Sequence, residues 1–181
     1  RGLGVAALTN KSEFVERFYQ KISCFFGHSD FGFANLESPL LFDDLFSINS
    51  TFAGKACFAS LLKECGIKIV SVANNHILEH GESGFESTLK ILEENDIAYI
   101  GVNQECLSNI YVYQKSGLKL AFVAYNAIPD YINDNQKYAV YSKECVLASI
   151  SKMKELKVDY LFISIHWGEE YLHRPSLNQI K

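Results

Sequence analysis

Apolar runs alternate with polar clusters along this chain, and the clusters fall where the runs stop. The run IKIVSVA (67–73) is rich in Ile and Val, which predicts a buried strand. It ends at Asn74, Asn75 and His76, three polar groups that are costly to bury without partners. DFGFA (30–34) predicts a strand that ends in Asn35, Leu36, Glu37, Ser38 and Pro39. VDYLFISI (158–165) predicts a third, ending in His166, Trp167, Gly168, Glu169 and Glu170.

Helical periods lie between these runs. A helix is predicted over 11–25, with Asn10 as its cap, Glu13 at the capping-box position, and Phe14, Phe18 and Ile22 on one face. Others are predicted over about 54–65, closed by Gly66, over 83–95, and over 143–156, where Val146, Ile150 and Met153 face inward. After the helix over 83–95 the chain returns as a strand over 97–102. Strand, helix and strand with short links make a βαβ unit with parallel strands. YVY (111–113) and LKLAFVAY (118–125) flank QKSG as an antiparallel hairpin, with Tyr111, Tyr113 and Tyr125 placed on one sheet face. The polar segment 126–141 reads as a loop over a site. The class is therefore α/β, without internal repeats and with enough chain for one sizeable core.

Composition narrows the functions. The 181 residues are 48% hydrophobic and 21% charged, with a net charge of −4 and no Lys/Arg block. That argues against a nucleic-acid surface, whose affinity comes from phosphate neutralisation. No apolar stretch is long enough to span a bilayer. The five cysteines are dispersed and form no CxxC pair, which reads as buried, reduced thiols in a cytoplasmic protein. A membrane anchor ahead of Arg1 stays open.

Carboxyl ends of neighbouring parallel strands share one edge, and sites form there. Asn35 and Glu37, then Asn74, Asn75 and His76, then His166, Glu169 and Glu170 bring oxygen and nitrogen donors to that edge. Such donors suit Mn, Fe, Zn or Mg, and a carboxylate between two cations bridges them. Each piece also has a plainer reading. Asn74 and Asn75 can simply form a turn, Glu37 can be a solvated carboxylate, and His166 can be a satisfied core histidine. His28, His80 and His173 read as surface or loop residues, and Trp167 as packing beside the site.

NLESPL (35–40), VSVANNHILEHGESGFESTLKILEENDIAYIGV (70–102) and ISIHWGEEYLHRPSLNQ (163–179) together resemble the bacterial CapA family. These are capsule and poly-γ-glutamate synthesis proteins with a calcineurin-like metallophosphoesterase fold. The resemblance covers nearly the whole chain. It implies a truncated four-layer αββα sandwich, one partial domain over 1–181, with two divalent metal ions at the strand ends. It gives Glu37 the place of the bridging acid, Asn75 and His166 those of metal ligands, and His76 that of a histidine that contacts phosphate or acts as acid. Asn35, Asn74, Glu79 and Glu170 line or support the site. Pro175, Tyr171 and Gln179 match the family signature without assigned chemistry.

Two departures stand out. Glu79 replaces the family's usual Asp, a longer carboxylate that changes how His76 is oriented. The family's opening Gly-Asp and closing Gly-His-His-Pro-His motifs are absent from these residues. The reading therefore expects a longer protein, and expects residues 1–181 alone to bind metal weakly. The implied function is metal-dependent hydrolysis or transfer at a phosphate ester, or an amide, in capsule or polyglutamate production. The substrate would be a phosphate ester or an anionic polymer, with other capsule-synthesis proteins as partners. The alternative is a non-catalytic subunit of a polymer synthesis or export complex. A (β/α)₈ barrel would need eight βα repeats, and the hairpin at 111–125 argues against it.

Overall fold

The computed structural model describes residues 12–26, 28–45, 52–105, 107–130, 136–169 and 172–180. In chain order the elements are α1 (Ser12–Phe26), β1 (Gly32–Asn35), β2 (Leu40–Leu41), β3 (Gly54–Lys55), α2 (Cys57–Glu64), β4 (Ile67–Ser71), α3 (Gly81–Glu94), β5 (Ala98–Ile100), β6 (Asn103–Gln104), β7 (Leu107–Ser108), β8 (Tyr111–Lys115), β9 (Leu118–Asn126), α4 (Lys143–Leu156), β10 (Tyr160–His166) and α5 (Leu177–Ile180). The expected α/β class holds. The chain forms two compact units, 1–70 with 76–99 and 71–75 with 100–181.

The first unit is built on the sheet β1-β4-β5, with β4 central and running into the second unit at Ser71. Ile67, Ile69 and Val70 are buried, while Lys68 is exposed. The predicted helix over 83–95 is α3, which buries Phe85, Ile91 and Leu92. It packs on β2, and its hydroxyls complete that strand's backbone bonding. Leu40 N–H donates to Thr88 Oγ1 at 2.9 Å and Phe42 N–H to Ser87 Oγ at 3.2 Å. Two short strands were not legible beforehand. Residues 54–55, expected as the start of a helix, pair in parallel with β2 before α2 begins at Cys57. The Asn10 cap and the side chains of Glu13, Phe14 and Phe18 lie outside the described residues.

The second unit carries the sheet β10-β9-β8. The hairpin forms as expected, closed by Ser116 and Gly117 with φ of 51° and 83°, the left-handed pair of a tight two-residue turn. β10 runs parallel to β9, with Phe162 opposite Phe122 and His166 opposite Asn126. β8 begins at Tyr111, opposite Phe122, so β9 outruns it. The exposed edge is completed by substitutes. Ala124 N–H donates to the Ser108 hydroxyl at 3.1 Å, and Asn126 N–H to Ala139 O at 2.9 Å. On one face of this sheet Val123 and Tyr125 pack with Ala139 and Cys145, against Leu161 and Ile163. Tyr125 thus lies on the face opposite Tyr111, which is paired with Phe122. The expectation of three tyrosines on one face is corrected by the register.

Ser142 caps α4, its Oγ accepting the Cys145 N–H at 3.1 Å. Cys145, Ser149 and Met153 are the fully buried positions; of the other two predicted inward residues, Val146 packs half-buried against the core and Ile150 is half-buried. The thiol reading also needs correction. Among the described residues, Cys24 and Cys57 are free but exposed, and only Cys65 is both free and buried. Cys145 is disulfide-bonded.

Candidate functional site

Each predicted cluster lies at the end of its strand. Asn35 closes β1, and its amide donates to Glu37 Oε2 at 3.2 Å. Glu37 is exposed in the short link from β1 to β2, and that link is anchored by the bonds from Leu40 and Phe42 to α3.

β4 ends two residues earlier than expected. Val72 N–H still donates to Ile100 O of β5 at 2.9 Å; the chain then bends, Ser71 Oγ accepting the Ala73 N–H at 3.3 Å and Val72 O the Asn74 N–H at 3.2 Å. This tight bend is what delivers three consecutive polar residues from a buried strand. Gly101 makes the bend possible: its φ is +101°, and a Cβ there would lie 2.6 Å from Ala73 Cβ and 2.7 Å from Ala73 N. Only glycine lets the two backbones approach so closely.

Asn74 is fully buried and Asn75 half-buried. Asn75 Oδ1 lies 2.9 Å from His166 Nε2, across 91 residues of sequence. His166 is the last residue of β10 rather than the first after it, and its carbonyl accepts the Ala127 N–H at 2.8 Å. Two donors bound at about 2.0–2.1 Å to one ion, at right angles, are themselves about 2.9 Å apart. The contact is a hydrogen bond, and its amide oxygen and imidazole nitrogen also have the spacing that adjacent ligands of one ion would have.

His76 sits on the first unit. Its Nδ1 is 2.9 Å from Glu79 Oε1, so the longer carboxylate does reach the ring. Both are half-sheltered, at 17% and 30% side-chain exposure. An ionised carboxylate only accepts, so Nδ1 carries the proton of this bond and the chemistry of the ring falls to Nε2.

The structure thus joins Asn75 with His166, Asn35 with Glu37, and His76 with Glu79. Glu170 and Tyr171 lie outside the described residues. Among the described residues, no three of His, Cys, Asp and Glu gather as a metal-holding group. Trp167 is half exposed rather than packed away, and with Glu169, His173, Arg174 and Gln179 it lines a cavity of about 270 Å³. Gly168, with φ of +107°, makes room for the Gln179 amide, which lies 2.5 Å from where a Cβ would be.

One polar cluster was missed. Asn126 ends β9 beside His166, and its amide donates to Tyr138 Oη at 3.1 Å, while Tyr138 in turn donates to Asp130. Burial first, and then the bond to Asp130, push the Tyr138 hydroxyl well above its ordinary range, so it stays a neutral donor. The signal is present in AFVAYNAIPD, an apolar run ending in Asn and an acid like the other three clusters.

Residues 4–181 match the family model described as "Bacterial capsule synthesis protein PGA_cap". The chain belongs to this family. Among its relatives, the "Capsule biosynthesis protein CapA" of Bacillus anthracis is 27% identical over 186 residues, covering 92% of this chain and 45% of that protein. The "PGA biosynthesis protein CapA" of Bacillus subtilis (strain 168) is 24% identical over 184 residues, covering 91% and 46%. The chain therefore spans just under half the length of these relatives. Among solved structures, the NAD nucleotidase NadN of Haemophilus influenzae aligns with a TM-score of 0.47 at 16% identity, over 64% of this chain and 22% of that one.

Proposed function

We propose that this chain forms part of one metallophosphoesterase-type αββα domain that acts on a phosphate ester or an anionic polymer during capsule or poly-γ-glutamate production. The observation that carries the reading is the 2.9 Å approach of Asn75 Oδ1 to His166 Nε2, two strand-end donors far apart in sequence. In the proposal these two residues and Glu37 hold divalent ions, Glu37 as the bridging carboxylate. Bound there, two such ions supply Lewis-acid stabilisation of a phosphoryl group and a nucleophile at neutral pH.

The chain's own residues do the rest. Glu79 holds Nδ1 of His76, which fixes the tautomer and leaves Nε2 as the atom that meets the leaving group's oxygen. Asn35 holds Glu37 in one orientation through its amide. Asn74, Glu169 and Glu170 are assigned to the support or lining of the site. No described helix is long and apolar enough to cross a membrane. The disulfide at Cys145 supports an oxidising compartment rather than the cytoplasm. Other capsule-synthesis proteins are the proposed partners.

The test uses the full-length protein that contains this chain. His76→Ala should lower phosphodiester turnover by about 10²–10⁴-fold with bound metal retained, because a leaving-group acid contributes on that scale. Glu37→Ala should lower the metal content itself. Full metal content with no turnover in the unaltered protein would instead favour a binding subunit. Equal metal loss in both variants would show that His76 is a ligand.

A further inference from the structure

His76 is held on more than its edge. The Phe52 ring lies flat on the imidazole, with centroids 4.3 Å apart and planes within 3°. Phe52 has φ of +47°, a left-handed conformation that is an outlier for a bulky residue and persists only where the surroundings impose it. Those surroundings are visible two residues on. Gly54 N–H donates to Pro39 O at 2.8 Å and Ala56 N–H to Leu41 O at 2.9 Å, so β3 is clamped to the strand that follows the Glu37 link. Gly54 itself is packed so tightly that a Cβ would meet Leu40 Cδ2 at 2.8 Å. Phe52, His76 and Glu79 all belong to the first unit.

We infer that Phe52 is a positioning residue for His76: Glu79 fixes the ring's Nδ1 edge, Phe52 fixes its plane, and together they set the direction of Nε2. The bond to Glu79 holds one edge of the ring and does not by itself fix its tilt. A flat ring against its face removes that tilt without adding a competing donor or acceptor. This deepens the proposed function and rests on it for the link to turnover, but the geometry itself stands apart from that reading.

The experiment uses the full-length protein with isotope-labelled histidine, at one fixed pH, in the unaltered form and as Phe52→Leu and Phe52→Tyr. The unaltered protein should show His76 as one Nδ1–H tautomer with its ring protons displaced by the aromatic face. Phe52→Leu should lose that displacement and mix the tautomers. With bis(p-nitrophenyl) phosphate as the probe, kcat should fall about two- to tenfold, the range expected from losing one aromatic contact, with KM and bound Mn unchanged. Phe52→Tyr should restore both readouts. A Phe52→Leu protein that melts earlier yet keeps one tautomer and full kcat would overturn the inference and leave Phe52 as packing alone. If the unaltered protein does not turn over the probe, the proposed function fails, and the tautomer and ring-proton readouts still decide the positioning role.

Discussion

Ser108 is the buried hydroxyl on which the second unit's strand ends depend. It is 1% exposed, and its oxygen accepts two backbone N–H groups, from Gly101 and from Ala124, each at 3.1 Å. It also donates to Asn109 O at 2.9 Å. Ser108→Ala removes all three bonds without opening space enough for a water. Each buried N–H left without an acceptor costs about 1–3 kcal/mol, so the pair sets an expected loss of roughly 2–6 kcal/mol. That is a large share of the roughly 5–15 kcal/mol that holds a typical domain together. Urea unfolding should show a lower midpoint with an unchanged slope, since the unfolded state is the same. Ser60→Ala is the control, because its exposed hydroxyl donates only to Cys57 O within α2, and its effect should stay within about 0.5 kcal/mol. A Ser108→Ala loss below about 1 kcal/mol would refute the claim that this hydroxyl stands in for a missing strand.

Gly101→Ala should cost about 2–6 kcal/mol, from the left-handed backbone together with a Cβ driven into the Ala73 backbone, and the same urea series measures it. A loss no larger than that of Ser60→Ala would contradict the close approach. Tyr99 gives a pH-dependent expectation: burial first, and then its bond to Glu93, push its hydroxyl from 10.0 up to about 12. The folded value is raised, so the associated stability is full below pH 10 and is lost as pH rises through about 12. Solvent screening at this half-exposed site reduces its size, and Tyr99→Phe should flatten the alkaline limb of the stability curve relative to the unaltered protein.

The strands and the three polar ends were legible because a buried strand leaves a simple trace, an apolar run, and because Asn74, Asn75 and His76 conflict with burial. The β8–β9 hairpin was legible from QKSG, where Gly117 takes a left-handed turn position. β2 and β3 were not, since two-residue strands carry no periodicity, and their bonding relies on Ser87 and Thr88 from a helix more than forty residues away. The Phe52 contact with His76 has no trace in local pattern either, being set by the β2–β3 pairing. Asn126 leaves a weaker trace: a single amide followed by Ala127 and Ile128 does not conflict with burial as three consecutive polar residues do. The face of Tyr125 was not legible because alternation within each strand does not fix the register between strands, which here sets Tyr111 opposite Phe122.

The account turns on Asn75 and His166 sharing one ion, and Mn binding to the metal-stripped full-length protein tests that most directly. Asn75→Ala and His166→Ala should each remove the same Mn equivalent, and the double variant should lose no more than either single one, because both side chains serve one coordination sphere. If each variant keeps the full Mn complement with unchanged affinity, the 2.9 Å contact is only a hydrogen bond between two strand ends, and the metal-centre reading is contradicted.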